Sequence, residues 1–354
     1  MLYSTCKIVV NISSATITLL YWSVTRNSIV FIGYFSIHGS KLLTPNLDAL
    51  ALSGVVLDQY YTQPVCSPTR SSLLTGRYPI RLGLQHNVIL AGQESGIPKK
   101  YKLLPEELKQ CGYSTHMIGK WHAGHSHNYM LPANRGFDTF YGYLQGAEDH
   151  YSRVQCQGRD WCGIDFATEQ GPTNETFGTY GTEIYSLRAQ KVLDSVKTEE
   201  KPFFLYYSLQ NVHYPLQAPE HYRIKFDWIK DPARRNYAAM VSIMDEAVGD
   251  LVKMLKFRNL WDDTLLIVTA DNGGETRSGG NNFPLRSQKW SLYEGGVRAN
   301  SFINGGLVDR VGKYSGLFHV SDWRETILDA MECSYKKSND VDGISQWEAI
   351  QGCG

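Results

Sequence analysis

The stretch CSPTRSSLLTGR, residues 66–77, places a cysteine at a predicted helix start. Proline fixes φ near the helical value, so Pro68 suits the first turn, and Ser67 beside it is predicted to cap that turn. A cysteine sulfur at a helix N-terminus, with Arg70 one turn further on, is expected to have a lowered pKa and to be reactive. Taken alone, however, Cys66 is more typical of a buried structural cysteine.

The bulk composition excludes some classes of partner. The chain has 354 residues, with 35 Lys and Arg against 35 Asp and Glu, so its formal net charge is zero. A partner held by bulk charge, such as nucleic acid or a membrane surface, is therefore not expected. The length suits one large core or about two domains, and a hydrophobic content of 42% is ordinary for a globular protein.

Hydrophobic periodicity predicts strands that alternate with helices. The predicted strands are 55–57, 113–118, 203–209 and 264–270, and the predicted helices are 44–52, 103–111, 182–196 and 237–255. This alternation predicts an α/β fold whose large, mostly parallel sheet is flanked by helices on both faces. Residues 123–180 are rich in Gly, Asn, His and aromatic residues and are predicted to form long surface loops.

Polar residues follow three of these strands. Lys120 and His122 follow the first, His213 follows the second, and Asp271 and Asn272 follow the third. In an open α/β sheet, ligands bind beyond the carboxyl ends of the strands. We therefore expect these residues to meet Cys66 and Arg70 in one site.

The pattern Cys-x-Pro-x-Arg followed by Leu-Thr-Gly-Arg closely resembles the signature of the sulfatase family. Further matching stretches are YTQP at 61–64, GKWH at 119–122, RGFD at 135–138, DNGG at 271–274 and KWSL at 289–292. The resemblance is closest to the arylsulfatase B (N-acetylgalactosamine-4-sulfatase) branch. It implies an alkaline-phosphatase-like sulfatase fold and conversion of the signature cysteine to formylglycine in the endoplasmic reticulum.

The resemblance also implies the roles of individual residues. Cys66 would become formylglycine, whose hydrated form attacks the sulfur of a sulfate monoester and forms a covalent hemisulfate. Arg70 and Lys120 would hold the diol and the sulfate, and His122 would assist breakdown of the hemisulfate.

The remaining catalytic residues implied by the resemblance are His213 and Lys289, which would bind sulfate and help to protonate the leaving alcohol. A compact anion needs such fixed cations and proton donors. Each residue alone has an ordinary interpretation, a solvated lysine or a hydrogen-bonded histidine. Together, in the family's order and near its spacing, they predict one sulfatase-type pocket.

By the same resemblance, calcium would be held by Asp271, Asn272 and the formylglycine oxygen at position 66, with Asp271 also a candidate base for the diol. The family adds an Asp-Asp pair after its first strand, whereas this chain has no Asp or Glu before Asp48. Losing two carboxylate ligands is expected to weaken calcium binding by about several kcal/mol. We therefore expect weak calcium binding and slow or absent turnover.

The termini depart from the family pattern. Residues 1–33 form an atypical segment that fits neither a clean signal peptide nor a membrane span, with a strand candidate at 28–32. Residues 34–354 are predicted to be the sulfatase catalytic domain, with the family's antiparallel C-terminal subdomain truncated. Either the sequence is an incomplete or misassembled gene model of a true sulfatase, or the protein is a degenerate relative.

The chain has seven cysteines. Cys156 and Cys162 flank a short polar loop and are predicted to form a disulfide, as a matching pair does in the resembled family, although two free thiols remain the alternative. Cys6, Cys111, Cys333 and Cys353 have no assigned partner. Of two Asn-x-Ser/Thr triplets, at Asn11 and Asn174, the one at Asn174 lies in a polar loop and is the better glycosylation candidate.

The expected function is that of an arylsulfatase-type sulfuric ester hydrolase. Its substrate would be a sulfated carbohydrate or aryl sulfate, such as N-acetylgalactosamine 4-sulfate units of glycosaminoglycans. Formylglycine-generating enzyme would be its maturation partner, and its location would be the lysosome or the secretory route.

One alternative is a non-enzymatic binder of sulfated glycans that uses Arg70, Lys120 and Lys289. A phosphohydrolase on the same fold is disfavoured, because those relatives usually use Ser or Thr as nucleophile with two metals.

Overall fold

The computed structural model describes residues 16–26, 42, 44–158, 161–174, 177–196, 201–335 and 339–352. Runs rich in β-branched and aromatic residues form most of the strands. The strands are β1 (Thr16–Arg26), β2 (Val55–Tyr61), β3 (Ser114–Lys120), β4 (Thr139–Tyr143), β5 (Val154–Gln157), β6 (Trp161–Ile164), β7 (Ala167–Thr168), β8 (Gly171–Pro172), β9 (Phe203–Leu209), β10 (Thr264–Gly273), β11 (Ser301–Asn304) and β12 (Gly312–His319).

Several helices begin with proline in the first turn, where its missing N–H costs nothing. The helices are α1 (Pro45–Leu52), α2 (Cys66–Thr75), α3 (Pro79–Leu82), α4 (Leu104–Gln110), α5 (Gly181–Ser195), α6 (Glu220–Arg223), α7 (Pro232–Phe257), α8 (Glu294–Val297), α9 (Asp322–Ala330) and α10 (Trp347–Gln351). Short 3₁₀ turns lie at Asn128–Met130, Pro132–Asn134, Ile224–Phe226 and Thr276–Ser278. Within the described residues, no helix combines the length and apolar character that crossing a membrane requires.

The described strands form a ten-stranded mixed sheet in the order β12-β2-β11-β10-β1-β9-β3-β4-β7-β8, and β5 pairs with β6 as a separate hairpin. The five central strands β10, β1, β9, β3 and β4 are parallel, and β11 and β7 run antiparallel to their neighbours. Every residue of β9 and β10 is buried, so helices cover both faces. The predicted fold class, an α/β sulfatase-type sheet flanked by helices, is confirmed.

Strand β1 was not predicted. It lies between β9 and β10, with Ile17 opposite both Phe204 and Leu265. The segment 1–33 therefore contributes a central strand to the same sheet as the later residues. Its Ser and Thr content weakens the apolar signal, yet Thr, Val and Ile favour extended backbone. The strand candidate at 28–32 lies outside the described residues.

Other predicted elements are confirmed with shifted ends. Helix α7 begins at Pro232, five residues before the predicted start, because Asp231 caps it by accepting the backbone N–H of Arg234 at 2.6 Å. The prediction that residues 123–180 are only loops is wrong. They contain β4, which extends the sheet beside β3, and the β5–β6 hairpin.

Candidate active site

Cys66 begins helix α2, and its buried Sγ atom lies 3.6 Å from Oδ1 of Asn272. The predicted cap by Ser67 is wrong, because the helix has no side-chain cap. The Ser67 hydroxyl instead accepts the backbone N–H of Ile89 at 3.0 Å. Ser67 therefore fixes a neighbouring loop beside the cysteine.

Arg70 joins α2 to three strand ends. One guanidinium nitrogen donates to the carbonyl of Lys120 at 2.7 Å and to the hydroxyl of Ser208 at 2.8 Å. Another lies 3.4 Å from a carboxylate oxygen of Asp271, and both side chains are fully buried. The planar guanidinium thus sets the spacing of β3, β9 and β10 below the cysteine.

Gly119 allows β3 to deliver Lys120 to the site. Its φ is +94°, and a Cβ atom there would lie 1.9 Å from the carbonyl oxygen of Ser208. The Lys120 side chain is fully buried. Burial, together with the charges of Arg70 and Lys289, lowers the pKa of Lys120 to about 8, although Cys66 and Asp271 oppose this shift.

The ring of His122 has a defined hydrogen-bonding pattern. Its Nε2 donates to the carbonyl of Ile89 at 2.9 Å, since a carbonyl can only accept. Nδ1 is then the nitrogen with a lone pair when the ring is neutral. Burial lowers the pKa of His122 to about 4, while an interaction with the Cys66 side chain opposes the shift. At neutral pH, His122 is an uncharged base beside the sulfur.

His213 and Lys289 form the outer part of the site. Nδ1 of His213 donates to the carbonyl of Tyr214 at 2.9 Å, so its Nε2 accepts from the Lys289 ammonium at 3.2 Å. Partial burial and the charges of Lys289 and Lys120 lower the pKa of His213 to about 4. The hydrogen of this contact therefore comes from the Lys289 side chain.

Asp271 and Asn272 end the buried strand β10. One oxygen of Asp271 faces Arg70, and the other has no hydrogen-bond partner among the described residues. Burial and the charge of Cys66 raise the pKa of Asp271 to about 7, against the opposing cations. The Asn272 amide nitrogen donates to the carbonyl of Gly273 at 2.9 Å, which leaves its oxygen toward Cys66.

The Cys66 sulfur lies in a positively charged setting. Burial alone would raise its pKa, but the charges of Lys120 and Lys289 and interactions with His122 and His213 outweigh burial. The pKa of Cys66 is therefore held well below its usual range. A monoanionic sulfate ester would meet the same cations.

Two side chains at the end of β10 offer oxygens to a calcium ion. The unpartnered oxygen of Asp271 and the oxygen of Asn272 are suitable hard ligands. However, the described residues contain no group of three His, Cys, Asp or Glu side chains that could hold a metal. Strand β1 places Thr25 opposite Asn272 and Arg26 opposite Gly273, so the paired strand adds no carboxylate. The described residues do not form a complete calcium site, which needs six to eight oxygens.

A cavity of about 330 Å³, called here the inner cavity, opens above the sulfur. Its lining includes four of the predicted catalytic residues, Cys66, His122, His213 and Lys289. The other lining residues are Val88, Ile89, Leu90, Ala91, Gln145, Gly146, Ala147, Gln155, Cys156, Gln157, Gly158 and Trp290. The lining does not include four other predicted site residues, which lie beneath it: Arg70, Lys120, Asp271 and Asn272.

The β5–β6 hairpin supplies one wall of the inner cavity. Cys156 of β5 lies directly opposite Cys162 of β6, and the two cysteines form the predicted disulfide. A second disulfide, Cys111–Cys333, was not predicted, because its cysteines are 222 residues apart in the chain. Asn174 is exposed, in keeping with the glycosylation prediction, and the rest of its triplet lies outside the described residues.

The structure brings every predicted catalytic and metal-binding residue into one region, but sequence reasoning missed several neighbours. Ser208 is a small polar residue in the otherwise apolar and aromatic strand FFLYYSL, which was an available signal. Trp290 lines the cavity with φ of +79° and 52% exposure, and it directly follows Lys289. His116 and His150 are also buried, and neither lines the inner cavity.

Comparisons with known proteins agree with this geometry. A family model described as Sulfatase matches residues 24–333. Arylsulfatase J of Mus musculus is 40% identical over 321 residues, covering 90% of this chain and 53% of the relative. N-acetylgalactosamine-6-sulfatase of Homo sapiens is 34% identical over 274 residues, covering 72% of this chain and 51% of the relative. The chain thus spans about half the length of these curated relatives.

Solved structures point the same way. The crystal structure of Ps i-CgsB in complex with k-i-k-neocarrahexaose superposes with a TM-score of 0.87 at 31% identity, covering 96% of this chain and 77% of that one. The family model covers most of the chain, and Cys66, His122, His213 and Lys289 line one cavity. The chain belongs to the sulfatase family.

Proposed function

We propose that this chain carries a sulfate-ester hydrolase site in which position 66 supplies the nucleophile. The observation that supports this most is the setting of the Cys66 sulfur, at an inner cavity where Lys120, Lys289, His122 and His213 all act on it. After conversion to formylglycine, position 66 would supply a hydrated aldehyde as an oxygen nucleophile.

The chain's own residues would bind and orient the ester. Lys289 and His213 line the inner cavity and would contact the sulfate oxygens directly. Lys120 lies beneath and would balance the charge that develops in the transition state, while Arg70 holds the strand ends in place. Burial strengthens each of these interactions because water screens them less.

Proton transfer would follow from the two imidazole tautomers. The Lys289 ammonium, hydrogen-bonded to Nε2 of His213, would donate a proton to the alcohol oxygen as its bond to sulfur breaks. Nδ1 of His122 would accept a proton from the hydroxyl at position 66 when sulfate is expelled. Asp271, with its raised pKa, would be the candidate base for the first step.

Calcium would be bound weakly, through Asp271 and Asn272, with the oxygen at position 66 as a further ligand. No step of the mechanism above is assigned to the ion, because the described donors are too few.

The proposed substrate class is a sulfated carbohydrate, with N-acetylgalactosamine 4-sulfate units of glycosaminoglycans as the first candidate. It rests on the resemblance to the arylsulfatase B type, supported more generally by relatives named arylsulfatase J and N-acetylgalactosamine-6-sulfatase. Two disulfides and the required formylglycine-generating enzyme favour maturation in the endoplasmic reticulum and residence in the lysosome or outside the cell.

A second candidate function is a binder of sulfated glycans without turnover. The set of calcium ligands among the described residues is incomplete, which favours this candidate, since the cations would still hold a sulfate without the metal. Both candidates use the inner cavity and differ in the chemistry at position 66.

One experiment separates the two. Trypsin releases residues 42–70 as one peptide, whose mass reveals whether position 66 is a thiol or an aldehyde. The same preparation is assayed on a panel of sulfated sugars with and without calcium. An aldehyde with measurable hydrolysis supports the enzyme, whereas a thiol with binding but no hydrolysis supports the binder. A preparation carrying the aldehyde that neither binds nor hydrolyses any sulfated sugar would refute both.

A further inference from the structure

A buried carboxylate outside the inner cavity, that of Asp165, holds the turn that follows β4. Asp165 comes directly after β6 and is 7% exposed. One of its carboxylate oxygens accepts the backbone N–H of Leu144 at 3.0 Å, and the other accepts the backbone N–H of Gln145 at 2.8 Å. Its own backbone N–H donates to the carbonyl of Arg153 at 2.9 Å. Asp165 thus joins the end of the hairpin to the end of a sheet strand.

The turn held by Asp165 supports His122 in two ways. The backbone N–H of His122 donates to the carbonyl of Leu144 at 3.0 Å. Gln145 and Gly146 continue the turn and line the inner cavity. Gly146 also packs against the imidazole, since a Cβ atom there would lie 2.8 Å from Cε1 of His122. Both the backbone and the ring of His122 therefore rest on residues 144–146.

His122 needs this support because its backbone lies in the left-handed region, with φ of +53°. Residues other than glycine rarely adopt this conformation, and they keep it only where the surrounding structure holds them. Loosening residues 144–146 would let the backbone relax and move the ring away from position 66.

The hold on the turn depends on a carboxylate. An ionised carboxylate accepts at both oxygens, whereas an amide of the same shape has one accepting oxygen and turns an NH₂ group toward the second N–H. Burial raises the pKa of Asp165 to about 6, and its two backbone N–H partners oppose this shift. At neutral pH Asp165 is therefore mainly ionised, and Asp165→Asn removes one of its two acceptors.

We propose that Asp165 is a positioning residue for His122 and acts in the second chemical step, the breakdown of the hemisulfate. In that step Nδ1 of His122 takes the proton of the free hydroxyl at position 66, and the carbon–oxygen double bond forms again. The bond from that carbon to the sulfate oxygen breaks, and sulfate leaves with the electron pair. This inference rests on the proposed function, because only a sulfatase site forms the hemisulfate. Asp165 itself does not line the inner cavity.

The first test compares the wild-type protein with Asp165→Asn at neutral pH, on N-acetylgalactosamine 4-sulfate and on p-nitrophenyl sulfate. Because only the second step is slowed, kcat and KM should fall together by about 10-fold to 100-fold, while kcat/KM stays unchanged. After acid quenching, the tryptic peptide 42–70 of the variant should carry the sulfate ester at position 66. The wild-type peptide should carry the aldehyde or its hydrate.

Glu169→Gln is the matched control. The Glu169 carboxylate accepts the backbone N–H of Phe140, on the same strand β4, at 3.1 Å, and Glu169 does not line the inner cavity. This variant should leave kcat, KM and the peptide mass unchanged. Accumulation of the sulfate ester in Glu169→Gln as well would overturn the assignment to Asp165.

A second variant guards against a loss of folding. Asp165→Ser accepts one N–H group and places no NH₂ group against the other, so it serves in case Asp165→Asn does not fold. Failure of both variants to fold would overturn the inference, because Asp165 would then support the fold as a whole and not His122 in particular.

A second measurement does not need turnover. The ¹⁵N signals of the His122 ring report its tautomer and its pKa, with Nε2 protonated and a pKa of about 4 in the wild type. In Asp165→Asn the pKa of His122 should rise toward its ordinary value, because a displaced ring is less fully buried. An unchanged His122 titration would overturn the inference whatever the kinetics show.

The outcomes separate this inference from the proposed function. Hydrolysis by the wild type without a trapped sulfate ester in Asp165→Asn would overturn the inference and leave the hydrolase intact. A shifted His122 titration in a protein that hydrolyses no sulfate ester would support the positioning of His122 by Asp165 and count against the hydrolase.

Discussion

Nζ of Lys289 lies 3.2 Å from Nε2 of His213, whose Nδ1 donates to the carbonyl of Tyr214. The backbone carbonyl fixes the tautomer of His213, so Nε2 of the imidazole accepts a hydrogen bond from the Lys289 ammonium. A proton could therefore pass between these two nitrogen atoms. Under the proposed function, this contact would let Lys289 supply both positive charge and a proton.

Replacing Lys289 with Met tests this pair. We expect kcat/KM for sulfate esters to fall about 100-fold or more, since a preorganised cation is lost at the reacting group. Burial and, after it, the positive charge of Lys289 lower the pKa of His213 to about 4, so the pKa should rise in the variant, as measured by NMR titration. Lys313→Met, at an exposed position, is the control. An unchanged His213 titration would show that the two groups do not interact in solution.

The pH dependence of kcat/KM should reflect two buried groups that act in the first step. Asp271 acts as a base only above its pKa of about 7, and Lys120 is a cation only below its pKa of about 8. The negative charge of Cys66 raises both pKa values, so conversion to formylglycine, which removes that charge, shifts both limits downward. We therefore expect an acid limb at or below pH 7 and an alkaline limb at or below pH 8. An alkaline limb well above 8 would contradict the assignment to Lys120.

Gly146 leaves room for the catalytic imidazole. A Cβ atom at this position would lie 2.8 Å from Cε1 of His122, closer than real contacts allow. Gly146→Ala should displace the ring and lower kcat by about 10-fold to 100-fold, because a displacement near 1 Å is costly in catalysis. Gly163→Ala on the hairpin, where a Cβ would meet nothing within 4 Å, should leave kcat unchanged. Equal kcat values for the two variants would argue against a role for His122.

The two disulfides should have different effects when removed. Cys111–Cys333 closes a separation of 222 residues and Cys156–Cys162 one of 6, so the chain-entropy model gives about 5 and about 2 kcal/mol of stabilisation. Removing the long-range bridge by Ser substitution should mainly lower the free energy of unfolding, measured in urea. Removing the hairpin bridge should mainly raise KM, because the hairpin lines the inner cavity. If KM rose only in the long-range variant, this division would be wrong.

Calcium should bind weakly. Among the described residues, one carboxylate and one amide oxygen are available to the ion. Because so few ligands bind calcium weakly, we expect a Kd in roughly the millimolar range or weaker. The measurement is the thermal midpoint against calcium concentration, with Asp271→Asn as the comparison. The midpoint should rise only at millimolar calcium, and less in the variant. Saturation at micromolar calcium would show that further ligands complete the site.

The alternation of predicted strands and helices was enough to predict the α/β fold, and the polar residues after three strands were enough to predict that they would meet Cys66 and Arg70. This works because carboxyl ends of parallel strands meet at one sheet edge, so the order of Lys120, His213 and Asp271 along the chain already indicates that they converge. Signals of this kind are local in sequence, and they require only the period of each element and the residue types that follow it. Lys289 was added only by the family resemblance.

Only the tertiary structure decided the rest. The tautomers of His122 and His213 depend on which backbone carbonyl lies beside each ring, and the Cys111–Cys333 bridge joins residues whose distance in the chain says nothing about their distance in space. The inner cavity likewise forms where residues 88–91 meet residues 155–158 of the hairpin region. Such properties come from packing between distant segments, which the pattern of any one segment does not encode.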